Sequence, residues 1–446
     1  MRVRRRHVLY VQGYDPRGLA WYRRVFRSEY RKFCTLYRLQ GVVQKRDPRP
    51  RPNARTWRTV TKGRGFEVET VYQFLQWEDI IRRDFARPTW WKVLRALAVL
   101  AKSIVEGSFW RVSKASRRFA LFIVYPYAIL LAHGLVAALL GFVVASIAGF
   151  WVGGQIAWLL GFSVAAVSAV LFIRWTEERT YMLYLFDDIV SHCQYAHRQR
   201  PDWEARFDAF AELLIEAAAT SSADEIIVVG HSSGSFVAVD VLARALARDP
   251  GLGRHGPKIV LLTLGANIPT VGFHPRAGWI RDHLARLAVE RSIDWIDYQS
   301  RKDVMSFYPF DPVSGHGIDV GDARRNPQVV AVRFRDIVRE QRYAAFRWQF
   351  FRIHFQFLRA NERAAAYDYF MIVCGPFSLP LLAQQPKDVL EAVGADAVVS
   401  DAAWRRLNLE AGDAVAATVV DVSAPSISQH IHPASTEPLE AAVSGR

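Results

Sequence analysis

The strongest chemical signal in the chain is a serine between two glycines, Gly230-His231-Ser232-Ser233-Gly234, with the apolar run EIIVV before it and FVAVDVLARALA after it. A strand entering and a helix leaving force this segment into a sharp bend, where a strained backbone pushes the serine hydroxyl clear of the sheet. Small glycines let neighbouring backbone approach. The following helix begins beside any carbon the hydroxyl attacks, so the backbone N–H of Ser233 can hold an oxyanion. The chemistry expected of Ser232 is nucleophilic acyl transfer; the alternative is a glycine-rich turn that packs or binds phosphate.

On these residues the sequence resembles the α/β-hydrolase family, particularly its lipase-like members, whose bends often read GHSxG. The resemblance covers roughly residues 5 to 85 and 180 to 375, and it implies a chain order of Ser, Asp, His. The acid is then expected just beyond SIDWIDY, where YQSRKDVMSF offers Asp303 to fix the imidazole tautomer and stabilise the imidazolium. Asp294 and Asp297 in the strand and Asp311 beyond it are the other carboxylates nearby. For the base, family order favours His354 in QFFRIHFQFL, after the last strand, over His316 in VSGHGIDV, before it. The four phenylalanines around His354 leave open a purely structural, buried histidine. By the same resemblance, Gln12-Gly13-Tyr14-Asp15 takes the place of the family's oxyanion loop, with the backbone N–H of Tyr14 as second donor. Two features depart from the family: its first two strands are missing, and an apolar insertion precedes the nucleophile instead of forming the usual cap.

The elements that must position these groups alternate between short apolar strands and amphipathic helices. HVLYV reads as a strand, WYRRVFRSEYRKFCTLYRLQ as a helix and GFEVETVYQFLQW as a strand; Lys45 to Arg55 is a Pro/Arg loop. Later, DWEARFDAFAELLIEAAA, FVAVDVLARALA and WIRDHLARLAVE read as helices, and EIIVV, KIVLLTL, SIDWIDY and VVAVRFRDIV as strands. The expected fold class is α/β, a mostly parallel α/β-hydrolase-like sheet with helices on both faces, interrupted by a two-helix transmembrane insertion.

The insertion runs from Phe119 to Ile173, 55 residues without Asp, Glu, Lys or Arg. A span needs about 20 apolar residues, so the run holds two, with GFWVGGQ as the turn. Gly134, Ala137, Ala138 and Gly141 are small enough to let the helices pack closely. The alternatives are a pair of helices buried in a soluble core and a re-entrant insertion. His133 suits an interhelical hydrogen bond and Gln155 the turn. Arg111, Lys114, Arg117 and Arg118 precede the first span and Arg174 and Arg179 follow the second, which places both soluble parts in the cytoplasm. In PTWWKVLRALAVLAKSIVEGSFW, Trp90, Leu94, Leu97, Ala101 and Ile104 share one helical face, suited either to the membrane interface or to packing on the soluble domain.

Composition narrows the class further. Residues 1 to 118 hold 29 Lys/Arg against 9 Asp/Glu, and this charge leads into the apolar run without any nucleic-acid motif. A lipid surface is the expected partner and nucleic acid is not. Three scattered cysteines make no disulfide framework and suit a reducing compartment. MRVRRRHVLYV is too short in its apolar part for an export signal. No metal constellation or dinucleotide motif is evident, so no cofactor is expected.

The expected partition is residues 1–88 as the N-terminal part of the hydrolase domain, 89–118 as an amphipathic interfacial segment, 119–173 as the hairpin and 174–375 as the main part. Residues 376–446 form an extension, flexible from about 423, where His430 and His432 are solvated. The expected function is a membrane-held serine hydrolase of an ester or thioester, its substrate a lipid or other acyl ester suggested by location. The alternatives are an acyltransferase using the same residues and a non-catalytic binding or scaffold protein.

Overall fold

The computed structural model describes residues 1–44, 47, 51–393, 399, 400, 402–405 and 407. Residues 45, 46 and 48–50 of the loop Lys45 to Arg55, and all of the tail from 423, with His430 and His432, lie outside the described residues.

Eight strands form one sheet. They are β1 (Arg5–Val11), β2 (Gln40–Val43), β3 (Ala54–Gly63), β4 (Phe66–Leu75), β5 (Glu225–His231), β6 (Lys258–Leu264), β7 (Ile293–Gln299) and β8 (Gln328–Ala331). Their order is β2-β3-β4-β1-β5-β6-β7-β8. The strands from β4 to β8 in this order are parallel, whereas β2 and β3 pair antiparallel at one edge. The sequence reading named neither of those two strands: β2 follows directly on the segment read as helix, and β3 begins at the end of the Pro/Arg loop and continues through residues left unassigned. VVAVRFRDIV is corrected: only its first residues belong to β8, and Phe334–Ile337 turns into a helix.

Both faces of the parallel strands are apolar because both are covered. Val8, Tyr10, Ile227, Val229, Val260 and Leu262 point to one side. Leu9, Val11, Ile226, Val228, Ile259 and Leu261 point to the other. The first side is packed by α1 (Gly18–Leu36), through Tyr22, Phe26, Tyr30 and Phe33, and by the C-terminal segments. The chain between β4 and β5 supplies α2 (Glu78–Phe85), α3 (Thr89–Val105), α4 (Ser108–Ala115), α5 (Arg117–Ala148), α6 (Gly154–Thr180) and α7 (Met182–Ala196). The second side is packed by α8 (Pro201–Thr220), α9 (Gly234–Arg248), α10 (Pro269–Gly272) and α11 (Gly278–Val289). After β8 come α12 (Phe334–Ile337), α13 (Glu340–Phe346), α14 (Phe350–His354), α15 (Tyr369–Cys374), α16 (Leu379–Gln384) and α17 (Pro386–Val393).

The chain beyond residue 376 is part of this core where it is described. Phe377, Leu379, Leu382, Val389, Trp404 and Leu407 are buried with α1 and the sheet. Arg6 on β1 explains the attachment: it pairs with Glu225 at 2.8 Å and donates to the carbonyls of Gly375 and Phe377, with neither charged side chain exposed. A buried ion pair of this kind needs such extra hydrogen bonds to offset its desolvation.

Helices α5 and α6 are each long and apolar enough to cross a membrane, and only 17% of each apolar window is buried within the protein. A soluble core pair would be mostly buried, so that alternative does not describe them. They meet through Ala137, Gly141 and Ala145 on α5 and Ala157 and Gly161 on α6. A methyl group on Gly141 would lie 2.5 Å from the Gly161 carbonyl oxygen, so the backbones touch there. Gly134 and Ala138, also expected at this seam, face outward. His133 Nε2 meets Thr176 Oγ1 across the seam at 3.2 Å, and Gln155 sits exposed beside the turn.

Helix α3 is two-faced. Trp90, Leu94, Leu97, Ala101 and Ile104 are exposed. Ala96 packs near Tyr127 and Phe186, and Lys92 is buried against Asp187 at 2.6 Å. The foot of the hairpin is tied to the sheet domain: Arg111 donates to the Phe273 carbonyl, Arg118 to the Arg301 carbonyl, and the Phe119 ring lies 4.3 Å from Phe307.

Candidate active site

Ser232 stands between the end of β5 and the start of α9 with φ of 58°, a left-handed conformation that non-glycine residues rarely adopt. The contacts around it hold the strain. Its N–H donates to the Leu264 carbonyl, and its own carbonyl accepts from the backbone and the hydroxyl of Ser235. Each glycine of the motif is required by close backbone. A Cβ on Gly230 would lie 2.3 Å from the Gly234 carbonyl oxygen, and one on Gly234 would lie 2.4 Å from the Val11 carbonyl oxygen. Ser232 is partly exposed, while His231 and Ser233 are buried.

Asp303 follows β7 in a turn closed by its N–H on the Ser300 carbonyl. One carboxylate oxygen accepts the Met305 N–H at 3.0 Å and the other meets His354 Nδ1 at 2.7 Å. Both side chains are buried. With Nδ1–H donating to the carboxylate, His354 Nε2 keeps its lone pair, and that nitrogen has no hydrogen-bond partner among the described residues. The ring lies against Gly265, the residue after the carbonyl that receives the Ser232 N–H: a Cβ there would come 3.2 Å from His354 Cε1 and 3.0 Å from Asp303 Oδ2. No hydrogen bond joins His354 to Ser232 in this structure. The Ser232 hydroxyl instead accepts from the Asn267 side-chain amide at 3.3 Å.

Two supporting residues escaped the sequence reading. His231 Nε2 meets the His354 carbonyl oxygen at 3.1 Å, and its ring lies 4.6 Å from that of His354, tilted by 37°. Burial, with the neighbouring His354 adding to it, holds His231 well below the usual imidazole range, so it is a neutral N–H donor. Its place inside the motif was visible, but a backbone partner 123 residues away was not. Asn267 lies in an unremarked loop after β6, and nothing in its surroundings, LGANIP, signals a role.

The other candidates lie elsewhere. His316 makes its polar contact with the Pro312 carbonyl, and its ring packs on Phe273 and Phe310. Burial lowers it to about 4. It touches neither Ser232 nor Asp303. Asp294 pairs with Lys258 and Asp311 with Arg324, and Asp297 is enclosed by Thr263 and Gln299.

The segment Gln12-Gly13-Tyr14 is brought against the bend. A Cβ on Gly13 would lie 3.0 Å from Ser232 Cβ and 3.5 Å from its hydroxyl oxygen. Trp77 donates to the Gln12 carbonyl and Tyr184 to the Tyr14 carbonyl, and the buried Tyr14 hydroxyl meets Asp84 and Ser191. The backbone N–H groups of Tyr14 and Ser233 have no protein acceptor among the described residues. Asp188 on α7 reaches the Ser233 hydroxyl at 3.5 Å. From there a largely apolar cavity extends between α3, α5 and α7, lined by Leu100, Phe119, Phe122, Ile189 and Phe273. The arrangement provides a strained, partly exposed hydroxyl, an imidazole oriented by a carboxylate, and backbone donors nearby. Comparison of the chain with protein-family models, curated proteins and solved structures gives no match.

Proposed function

We propose that the chain is a membrane-held serine hydrolase that cleaves an ester or thioester of a lipid-like acyl chain. The observation that carries this reading is the pairing of His354 with Asp303 beside a serine held at positive φ between a strand and a helix. In the proposed cycle Ser232 Oγ attacks the acyl carbon while His354 Nε2 takes its proton. Asp303 steadies the imidazolium, and the N–H groups of Ser233 and Tyr14 receive the oxyanion. The imidazolium returns the proton to the departing alcohol or thiol. Water then attacks the acyl-enzyme by the reverse route. An alcohol in place of water would make the same site an acyltransferase.

The membrane part of the reading rests on α5 and α6, with the exposed apolar face of α3 beside their foot. Both soluble parts are assigned to the cytoplasm on the basic flanks. The apolar cavity by the foot of α5, whose lining includes Asp188, the residue that reaches the Ser233 hydroxyl, is the proposed seat for an acyl chain. A non-catalytic scaffold is the competing reading, and the unmade Ser232–His354 bond favours it. Catalytic hydrogen bonds, however, often tighten only with substrate bound. A fluorophosphonate probe on the detergent-solubilised protein decides between them: covalent labelling that disappears in Ser232→Ala supports the hydrolase, and absence of labelling in the parent protein points to the scaffold.

A further inference from the structure

A second cluster of chemistry-bearing side chains lies away from Ser232. Cys193 lies on α7, and His197, which caps the helix's C-terminal end, follows one turn later on the same face. His274 joins them from the loop after α10, and Glu106 from the C-terminal end of α3. One ligand atom from each of Cys193, His197 and His274 lies within 4.8 Å of the others. Glu106 Oε2 is 3.6 Å from His197 Nε2 and 4.0 Å from His274 Nδ1, too far for hydrogen bonds.

The nitrogen and oxygen atoms of this group are buried and unsatisfied, whereas the Cys193 Sγ lies 3.9 Å from His197 Nδ1. Cys193 is 4% exposed and His274 6%, and the His197 side chain has no exposed surface. Glu106 Oε2, His197 Nε2 and His274 Nδ1 all lack a hydrogen-bond partner among the described residues. Buried polar atoms without partners are rare and call for an explanation. His197 is also oriented: its Nδ1 meets the Cys193 carbonyl at 2.7 Å, and an N–H there leaves Nε2 with a free lone pair.

We infer that Cys193, His197, His274 and Glu106 bind a zinc-class transition-metal ion. One thiolate and two imidazoles select such an ion over calcium or magnesium. Thiolate and carboxylate together cancel its two positive charges, which suits a buried site. Ligand atoms around tetrahedral zinc lie roughly 3.3 to 3.5 Å apart, so the shell closes by about 1 Å on binding. The Cys193 thiol gives its proton to solvent as the metal–sulfur bond forms. Four protein ligands leave no open position, so the ion is structural. It would clasp α3, α7 and the loop after α10 together.

The test uses the full-length, untagged protein in detergent, stripped with a chelator and reloaded with zinc or cobalt. One zinc per chain is expected by elemental analysis. Cobalt should give a thiolate-to-metal charge-transfer band in the near ultraviolet that Cys193→Ser removes. Glu106→Gln and His274→Gln leave α7 intact and should each weaken metal binding by at least about tenfold. Failure to bind zinc overturns the inference. So does a cobalt spectrum or zinc content unchanged by all three substitutions, as binding by His430 and His432 in the tail would give.

Discussion

At the scale of single residues, the site is a division of labour between groups on different elements. Of the two histidines considered for the proposed base, His354 holds the carboxylate partner and a free nitrogen, whereas His316 is enclosed by aromatic rings. His354→Ala and Asp303→Ala are therefore each expected to cut turnover of an acyl ester by a factor of about 10⁴ or more. His316→Ala should stay within about tenfold of the parent if it serves only packing. Steady-state kinetics on the three purified variants, with circular dichroism to verify folding, would reverse the assignment if only His316→Ala were inactive. Ser232 was legible because every requirement of the bend is local: strand, glycine, serine, glycine, helix. Asp303 and His354 were reachable through chain order, since each follows a recognisable strand. Asn267 and the cluster around Cys193 were not, because their partners arrive from segments far apart in sequence and no spacing records the meeting.

At the scale of elements, legibility tracked how much of each face is buried. The central strands β1, β5 and β6 are apolar on both sides and stood out, while β2 and β3 at the antiparallel edge mix Arg, Thr and Lys with Trp57 and Val60. A strand half exposed beside a Pro/Arg-rich stretch reads as loop. The helix α15 carries a testable electrostatic consequence. Its N-cap, Asp368, accepts from the backbone N–H of Phe370 and Met371, yet burial pushes its carboxyl up to about 7. A folded value above the unfolded one of about 3.8 means that its stabilising contribution is complete below about pH 4 and is lost as pH rises through about 7. Asp368→Asn keeps an oxygen for the cap and cannot ionise. Its urea-unfolding free energy should thus decline less between pH 4 and 7 than that of the parent protein. An unchanged pH slope would show that Asp368 does not titrate across that range.

At the scale of the molecule, the two apolar helices interrupt a single sheet domain. β1 and β4 come before the hairpin, β5 to β8 after it, and β1 pairs with both β4 and β5. Any membrane arrangement must accordingly keep residues on both sides of the hairpin in one compartment, because neither half of the sheet can be completed across a bilayer. The proposed topology, read from the basic flanks, assigns that compartment to the cytoplasm and the turn to the outside. Cysteine substitution tests this cleanly, since the native Cys34, Cys193 and Cys374 are buried and give little background. At Gly153 a side chain would meet nothing within 4 Å, so Gly153→Cys should fold and its thiol be free. Arg58 and Glu212 are exposed at 55% and 64% and lie on opposite sides of the hairpin in sequence. In intact cells an impermeant maleimide should label Gly153→Cys alone, and after permeabilisation it should label Arg58→Cys and Glu212→Cys as well. Labelling of both soluble positions from outside would invert the topology while preserving the sheet. Labelling of Gly153→Cys only after permeabilisation, with the soluble positions also protected, would mean that the hairpin enters and leaves from the cytoplasmic face without crossing.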